Sequence, residues 1–459
     1  MLELVRDKSF TTTLLHLAIP IALQQLIFSS LNLVTVTMVG QLGETSVAAV
    51  GLANQILFLF QLLLFGLTSG SAIFVAQFWG KRDVANIRRV LGTCLGMGLL
   101  AAVGFTLVAV LAPEQALAIY TNDQAVIALG SEYLRITGLI YIPLAITTSY
   151  AVTLRSTGNV RMPVTITVFA LGLGAALNYA LIFGQFGLPA LGVQGSAIGL
   201  ATARLVECAV LLFLTYSTGT PAAARLRELI FADRAFLRQV LTTSVPVMVN
   251  EILWSVGISA YSLVYGRIGT EAIAAVSIAM TIEGLAFVPF IGLANAAAIM
   301  IGHRIGADEE HKAFGYAKGF LLLVIVSGML IGGMVFLTAD FALGLYKIGA
   351  GSHQIARNVL TIMALVLWVK VSNMMLIVGV LRAGGDTRVG FVIDVGPLWL
   401  VGLPLMVTGA FVLGLPAYWV YALAMSDEVA KLVVALLRVF SRRWINNLAR
   451  QHAPVGVGD

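Results

Sequence analysis

Charged residues are scarce in this 459-residue chain, where Asp, Glu, Lys and Arg together make up 11% of the sequence. Soluble proteins carry about 25% charged residues. Hydrophobic residues account for 59%, and the mean hydropathy is +0.95. So few charges cannot cover a water-facing surface. The composition therefore excludes an ordinary soluble domain and indicates that lipid is the main solvent of this chain.

Motifs for catalysis and nucleotide binding are also missing from the sequence. It contains no Gly-x-x-x-x-Gly-Lys-Ser/Thr loop, so the chain has no ATP-binding motif of its own. It contains no Gly-x-Ser-x-Gly elbow after a strand, and its histidines lack the spacing of metal ligands. Cys94 and Cys208 lie in apolar segments and do not form a secreted disulfide framework. We predict a protein that is not an enzyme and has no cofactor.

Long apolar segments fill the space between the few charges. A membrane-spanning helix needs roughly 20 mostly apolar residues. Twelve segments meet this requirement: 13–39, 48–78, 88–112, 133–153, 162–184, 193–217, 240–266, 273–302, 314–338, 356–381, 389–411 and 416–438. The first is about twice as long as the core of a signal peptide, so we expect it to be a span. The predicted fold class is an all-α membrane protein with twelve transmembrane helices.

The net charge of +6 is explained by where the basic residues lie. Of the 28 Lys and Arg residues, 21 lie at the termini or in the loops that join even to odd spans. Arg135, Arg267, Lys347 and Arg357 lie on the other side. Cytoplasmic loops carry an excess of Lys and Arg. The distribution predicts a multi-pass protein with both termini in the cytoplasm, and it accounts for the charge without nucleic-acid binding.

Several sequence features occur twice. LRSTGNVR at 154–161 returns as LRAGGDTR at 381–388, an offset of 227 positions. GQLG at 40–43 returns as GRIG at 266–269, an offset of 226. Flanking arginines suit a short cytoplasmic turn, and the glycine suits a tight one. Each copy holds six spans, and this even number returns the second copy to the same side of the membrane. The repeats are therefore parallel, with a pseudo-twofold axis along the membrane normal.

This repeat predicts the domain organisation. We expect an N-terminal six-helix lobe at 1–217, a cytoplasmic linker at 218–238, a C-terminal six-helix lobe at 239–440 and a cytoplasmic tail at 441–459. Two half-bundles with a cleft between them suit alternating access, in which a site near the midplane faces each side in turn. The architecture favours a transporter over a structural scaffold or a receptor.

Acidic residues within the predicted spans are candidate ion-binding groups. A charge at the bilayer centre costs at least about 2.5–3.5 kcal/mol, so it must face the bundle interior, pair or change its protonation state. Glu251 in span seven, Glu283 in span eight and Asp394 in span eleven meet this description. We interpret them as candidate groups for a coupling Na⁺ or H⁺. A sodium ion at Glu251 is the one metal that this interpretation allows.

Basic residues leave a structural role open for some of these acids. Lys370 in span ten could neutralise Glu283, and Arg382 or Arg388 could pair with Asp394. Other charges have the i, i+3 or i, i+4 spacing of ion pairs within one helix: Arg204 with Glu207, and Lys431 with Asp427 and Glu428. We interpret this second set as structural neutralisation.

Polar, aromatic and methionine side chains predict a substrate cavity. The candidate lining residues are Asn32, Thr35, Asn178, Trp254, Tyr261, Met280, Lys370 and Asn373. Methionine surfaces adapt to varied shapes, and aromatic faces attract cations. Each residue alone also fits a core or a lipid-facing position. Together with nearby acids, they favour bulky lipophilic cations as substrates.

Short motifs are distributed in order along nearly the whole chain. Besides the two arginine turns they are MVGQLG at 38–43, NYALIFG at 178–184, GLPALGVQGSA at 187–197, VNEILW at 249–254 and HRIGA at 303–307. Each motif alone is loose, but their order and spacing are specific. Together they resemble the multidrug and toxic compound extrusion (MATE) family of the MOP superfamily.

The resemblance implies a V-shaped pair of six-helix lobes in the plasma membrane, here the bacterial inner membrane, and a monomer. It also implies export of cationic or lipophilic compounds in exchange for inward Na⁺ or H⁺. In the family, a carboxylate in span seven and acids in neighbouring spans bind the cation, and Glu251 and Asp394 lie in those regions. Many members carry Asp in span one, where this chain has Thr35, and some also carry Asp in span five, where it has Asn178. First-lobe proton switching is therefore not expected here.

Two other transport functions are compatible with a chain of this kind. A lipid-linked saccharide flippase of the same superfamily usually has a strongly basic cavity, whereas Arg204, Lys370 and Lys431 at mid-depth each have a nearby acid. A major-facilitator transporter usually carries Gly-x-x-x-Asp-Arg-x-Gly between spans two and three, and WGKRDVANIRR at 79–89 does not match. The sequence favours a multidrug antiporter, with the flippase as the alternative.

Overall fold

A computed structural model describes residues 8–230, 234–346 and 348–450 of the chain. Every regular element in these residues is a helix. Lys347, one of the four basic residues predicted on the non-cytoplasmic side, lies outside the described residues. So do the first seven residues, part of the predicted linker and the end of the predicted tail.

Eleven helices in the described residues are long and apolar enough to cross a membrane. They are α1 (Lys8–Gly40), α2 (Glu44–Gly80), α3 (Val84–Leu111), α4 (Gln124–Ser156), α5 (Arg161–Phe183), α6 (Gly192–Ser217), α7 (Arg234–Ile268), α8 (Thr270–Gly306), α9 (Glu310–Gly344), α10 (Ala350–Leu381) and α11 (Thr387–Val412). The predicted twelfth span is present as two shorter helices, α12 (Ala417–Ala424) and α13 (Ser426–Phe440). The all-α, multi-pass membrane fold is confirmed.

Three of the spanning helices change their winding along their length. A 3₁₀ turn, Gly138–Ile140, lies within α4. A π-helix, Met375–Leu381, ends α10, and two more, Leu398–Gly402 and Thr408–Val412, lie in α11. π-turns are rare and are found frequently at functional sites. Their concentration in α10 and α11 marks these helices as unusual.

The described residues fold into two units, each with its own apolar core. The C-terminal unit comprises the start of α1, up to Ala22, and the chain from Val245 onward, and the N-terminal unit is Leu23–Ser244. Tyr265, Met363 and Val420 are among the buried residues at the core of the C-terminal unit. Large apolar side chains fill the core of the N-terminal unit in the same way. The bounds expected for the linker and the lobes stay predictions.

Glycines allow close helix packing inside each unit. A Cβ atom at Gly332 in α9 would overlap the carbonyl oxygen of Ala364 in α10. A Cβ atom at Gly195 in α6 would overlap the carbonyl oxygen of Leu181 in α5. Without a strong hydrophobic force between helices in lipid, such close backbone contact is a main source of stability.

The repeated arginine turn adopts the same conformation in both units. Gly158 and Gly385 have φ angles of 88° and 73°, in the left-handed region that glycine adopts without a steric penalty. The N–H of each glycine donates to the carbonyl of the arginine three residues earlier, Arg155 at 2.9 Å and Arg382 at 2.8 Å. The tight turn predicted at both places is confirmed.

The chain after α13 packs against the second arginine turn. Trp444 is fully buried, and its carbonyl oxygen and indole ring leave no room for a Cβ atom at Gly384. The N–H of Asn446 donates to the carbonyl of Gly384 at 3.0 Å. Just before this segment, near the end of α13, Arg438 forms an ion pair of 2.7 Å with Asp386. This C-terminal segment therefore holds the turn that begins with Arg382.

The described part of the predicted linker packs against α3 of the N-terminal unit. Arg88 in α3 forms an ion pair of 2.7 Å with Glu228, and its Nε donates to the carbonyl of Pro221 at 3.3 Å. The backbone N–H of Arg225 also donates to Glu228, at 2.6 Å. The hydrogen bonds from Arg225 and Arg88 hold the pKa of Glu228 below its usual value.

Candidate functional site

One pocket of the C-terminal unit is lined by five charged side chains. Residues from α7, α8, α10, α11, α12 and α13 surround it. The lining residues are Trp254, Ile258, Tyr261, Tyr265, Met280, Glu283, Lys370, Leu398, Tyr421, Met425, Asp427, Glu428 and Lys431. Five of them were candidate site residues in the sequence: Trp254, Tyr261, Met280, Glu283 and Lys370.

Glu283 and Lys370 form an ion pair at this pocket. The Nζ atom of Lys370 contacts Oε1 of Glu283, and their side chains are 17% and 12% exposed. The ammonium group also lies 5.8 Å from the centre of the Phe287 ring, over its face. The pairing considered from the sequence is therefore present, and Glu283 is not a free carboxylate.

Lys431 contacts three carboxylates at once. Its Nζ atom lies 3.2 Å from Asp427, 3.3 Å from Glu428 and 3.5 Å from Asp394. The side chain is 2% exposed, so the ammonium group has almost no contact with solvent. The local pairs of Lys431 with Asp427 and Glu428 were predicted, whereas the contact with Asp394 in α11 was not. The predicted alternative, pairing of Asp394 with Arg382 or Arg388, is replaced by this contact.

The interruption between α12 and α13 places two acids at a helix start. α12 ends at Ala424 and α13 begins at Ser426. Asp427 and Glu428 therefore lie in the first turn of a helix of 15 residues. The dipole of a helix favours negative charge at its N-terminus. Interrupted helices with exposed ends at mid-membrane form ion sites in many secondary transporters.

Two asparagines orient the acids. Asn373 in α10 donates to the side chain of Glu428 at 2.8 Å and to its carbonyl at 2.7 Å. Asn250 in α7 donates to Asp394 at 2.9 Å. Asn373 was a predicted cavity residue, and here it contacts the acids of the pocket directly.

The charges at this site do not balance. We define the carboxylate cluster as Glu283, Asp394, Asp427 and Glu428. In the described residues two lysines, Lys370 and Lys431, neutralise these four acids. When all are ionised, the cluster holds two more negative than positive charges. A low-dielectric site with excess negative charge attracts a cation or a proton.

Several buried polar atoms around the cluster lack a hydrogen bond. They are Asn250 Oδ1, Asn373 Oδ1, Asp427 Oδ1 and the hydroxyls of Tyr261, Tyr265 and Tyr421. More than nine in ten buried polar groups in proteins have a partner, so such a concentration is unusual. The arrangement provides acceptors for a ligand that brings donors or positive charge.

Glu251 lies in a separate ion pair. Its Oε1 atom accepts a hydrogen bond of 2.8 Å from Nη2 of Arg382, and the two side chains are 16% and 6% exposed. The sodium ion considered at Glu251 stays a prediction. In the described residues, no group of three or more His, Cys, Asp or Glu is arranged to hold a metal ion.

The predicted cavity residues of the N-terminal unit have local roles. The Asn32 side chain is exposed, and the hydroxyl of Thr35 donates to the carbonyl of Leu31 at 3.1 Å. Asn178 is buried against α6, where its Oδ1 atom occupies the space beside Gly199. The roles of Asn32, Thr35 and Asn178 in substrate binding stay predictions.

The predicted pair of Arg204 and Glu207 is present in α6 at 2.7 Å, with Glu207 only 2% exposed. Sequence reasoning assigned the twelfth-span charges to the same structural class and so missed their place at the pocket. The available signal was the density of charge: inside an otherwise apolar span, a stretch of five residues contains Asp427, Glu428 and Lys431.

Comparison with known proteins gives the same fold and one family. The MatE family model matches residues 20–180 and 246–408, which is more than half of the chain and includes both repeats. A probable multidrug resistance protein NorM from Bradyrhizobium diazoefficiens is 27% identical over 445 residues, covering 94% of each chain. A protein of the same description from Thermotoga maritima is 22% identical, covering 94% of this chain and 92% of the relative.

Solved structures show the same fold at low sequence identity. A crystal structure described as MATE in the bent conformation matches with a TM-score of 0.85 and 18% identity, covering 94% of this chain and 96% of the other. A MOP superfamily transporter from Pyrococcus furiosus matches with a TM-score of 0.83 and the same identity and coverage. With the family model matched in both halves, this chain belongs to the MATE family of multidrug and toxic compound extrusion transporters.

Proposed function

We propose that this protein is a secondary active antiporter that exports cationic or lipophilic compounds in exchange for inward Na⁺ or H⁺. The observation that carries the proposal is the carboxylate cluster, where one buried and three partly buried acids share two lysines. A membrane protein retains such costly groups when ions use them. The curated relatives described as multidrug resistance proteins support the substrate class.

In this proposal the carboxylate cluster takes up the coupling cation, and Trp254, Tyr261 and Met280 contact the substrate. Aromatic and methionine surfaces accept cations of varied shape. Glu251 contributes through Arg382, because a change in this pair alters the start of the turn between α10 and α11. Alternating access then exposes the site to each side of the membrane in turn.

Ethidium efflux from proteoliposomes tests the proposal. A sodium gradient and a pH gradient are imposed separately, each directed against the expected efflux. We expect efflux to be faster with at least one of the two gradients than in the same proteoliposomes without a gradient. Equal rates with and without both gradients would reject the antiport function.

The Glu251→Gln variant tests the role of span seven in an efflux-deficient host. We expect it to lose ethidium resistance while it remains in the membrane at the normal level. Glu114→Gln is the matched control, because Glu114 is 61% exposed and pairs with Arg135 at the surface, where ion pairs contribute about 0–1 kcal/mol. Normal resistance with Glu251→Gln would remove this residue from the mechanism.

The acid excess argues against the lipid-linked saccharide flippase, because a pyrophosphate group needs net positive charge. Both lysines of the pocket already contact acids. Scrambling of labelled lipid by the purified protein in vesicles would favour the flippase instead.

We further propose a monomer in the plasma membrane with both termini in the cytoplasm. The distribution of Lys and Arg between the loops supports this orientation. Fusions of a fluorescent protein and of alkaline phosphatase to the C-terminus test it, since the first is active in the cytoplasm and the second outside it.

A further inference from the structure

Asp427 is the least satisfied acid of the carboxylate cluster. Its side chain is 3% exposed, and its Oδ2 atom lies 3.2 Å from Nζ of Lys431. Its Oδ1 atom has no hydrogen-bond partner. Leaving a buried carboxylate oxygen unpaired is unfavourable, and more so when the group is charged. A proton on this oxygen would neutralise the charge and provide a donor.

The other acids of the cluster have additional partners. Asp394 accepts a hydrogen bond from Asn250 at 2.9 Å, and Glu428 accepts one from Asn373 at 2.8 Å. In the described residues, Glu283 pairs with Lys370, and Lys370 forms no ion pair with another acid. Each of these three acids therefore has a partner that is not Lys431. Among the four acids, Asp427 has the most to gain from protonation.

The surroundings of Asp427 contain further titratable groups from every neighbouring helix. The charged ones are Glu283, Lys370, Asp394, Glu428 and Lys431. The hydroxyls of Tyr261, Tyr265 and Tyr421 complete the set. The three acids repel a charge on Asp427, and the two lysines attract it. The lysines also contact the other acids. One added proton therefore reduces the net negative charge of the carboxylate cluster.

A proton fits this position better than a metal ion. The ammonium of Lys431 already stands where three carboxylates converge. A proton needs no additional space, and the Tyr261 hydroxyl, which has no hydrogen bond in the structure, lies next to Asp427 beside Gly402, where it can accept one.

We propose that Asp427 is the group that binds the exchanged proton, and that Lys431 is a tethered cation that redistributes its contacts when Asp427 is neutral. Its contacts of 3.2–3.5 Å are longer than the about 2.7–2.9 Å of charge-assisted hydrogen bonds. Lys431 can therefore approach Asp394 and Glu428 more closely. A proton from the outer side forms an O–H bond at Oδ1, and this bond breaks when the proton leaves to the cytoplasm.

The role in transport rests on the proposed antiport function, whereas protonation of Asp427 can be measured without a substrate. Infrared difference spectroscopy of the full chain in lipid, recorded over a pH series, detects the carbonyl band of a protonated carboxyl group. We expect a band that disappears as the pH rises and that Asp427→Asn removes. Asp340→Asn is the matched control, because Asp340 is 67% exposed and pairs with Arg357. A titrating band that persists in Asp427→Asn, or its absence in the wild type, would overturn the proposal.

A second variant keeps the test decisive if Asp427→Asn does not fold. Lys431→Met removes the cation that contacts Asp427, which favours the protonated form. The band should then persist at pH values where the wild type has lost it. An unchanged titration would also overturn the proposal.

Transport gives the link to function. In proteoliposomes, we expect Asp427→Asn to reduce ethidium efflux under a pH gradient to the rate measured without one. If the pH gradient accelerates efflux equally in the wild type and in Asp427→Asn, the role of Asp427 is rejected and the antiport function is retained. If the wild type moves no ethidium, the antiport proposal fails, and the infrared result still decides the protonation of Asp427.

Discussion

At the scale of single residues, the site consists of charges that neutralise one another incompletely. The sequence was sufficient to predict which acids lie within the spans, where a charge must face other protein groups. It was not sufficient to predict every partner. Glu251 and Arg382 are 131 positions apart, and their contact depends on the rotation of α7 relative to the start of the turn after α10. Such rotations are set by packing, which periodicity alone does not determine.

The Glu283–Lys370 pair gives a prediction about stability. We expect Lys370→Met to destabilise the protein more than Glu283→Gln, because the first removes one of two cations from an acid-rich cluster and the second removes an acid. Breaking a buried pair typically costs about 3–5 kcal/mol. The double variant should recover most of this loss. Thermal unfolding in detergent measures it, and wild-type stability of Lys370→Met would contradict the charge balance argued for the cluster.

Gly402 in α11 gives a second prediction at this scale. A Cβ atom at Gly402 would overlap the hydroxyl of Tyr261 and would lie 3.0 Å from Cβ of Asp427. Overpacking of this kind costs about 1–3 kcal/mol, so Gly402→Ala should lower the unfolding temperature. Gly396→Ala in the same helix is the control, because nothing lies within 4 Å of its Cβ position. Equal stability of both variants would mean that Tyr261 is not held against α11.

At the scale of elements, the number of spans and the repeated turns were predictable and the irregular helices were not. Hydropathy gives the length of an apolar segment, and a glycine between arginines indicates a tight turn, as found at Gly158 and Gly385. The interruption at Met425 lies within an apolar run without Gly or Pro at that position. Ser426, Asp427 and Glu428 follow directly and favour the first turn of a helix, a local signal that hydropathy does not register. Glu428 and Lys431 then tie the start of α13 to α10 and α11.

The C-terminal segment gives a prediction about elements. Trp444 was expected to lie in a cytoplasmic tail, yet it is fully buried against Gly384. We expect Trp444→Ala to destabilise the C-terminal unit by about 3–5 kcal/mol, as for other large-to-small changes in cores. Trp419→Ala is the matched control, because Trp419 is 54% exposed. A similar unfolding temperature for both variants would show that the segment does not stabilise the turn at Arg382.

At the scale of the whole molecule, one fold is used twice with different charges. The offsets of 226 and 227 match the four acids of the carboxylate cluster with Leu57, Thr167, Leu200 and Ala201 in the first repeat. Lys431 matches Arg204, which forms a balanced pair with Glu207. The sequence alone predicted that ion coupling belongs to the second repeat. The structure adds that the buried pair of the first repeat has no excess acid.

This asymmetry predicts a division of function between the repeats. Asp394→Asn removes an acid from the cluster and should abolish the acceleration of ethidium efflux by the coupling gradient. Glu207→Gln leaves the partly buried Arg204 without its partner, so it should lower the unfolding temperature. The protein that remains folded should still respond to the gradient, because the carboxylate cluster is intact. Efflux is measured in proteoliposomes at equal amounts of folded protein, with and without the gradient. If efflux by folded Glu207→Gln is no longer accelerated by the gradient, the first repeat takes part in ion coupling. The charge asymmetry would then not identify the repeat that binds the coupling ion.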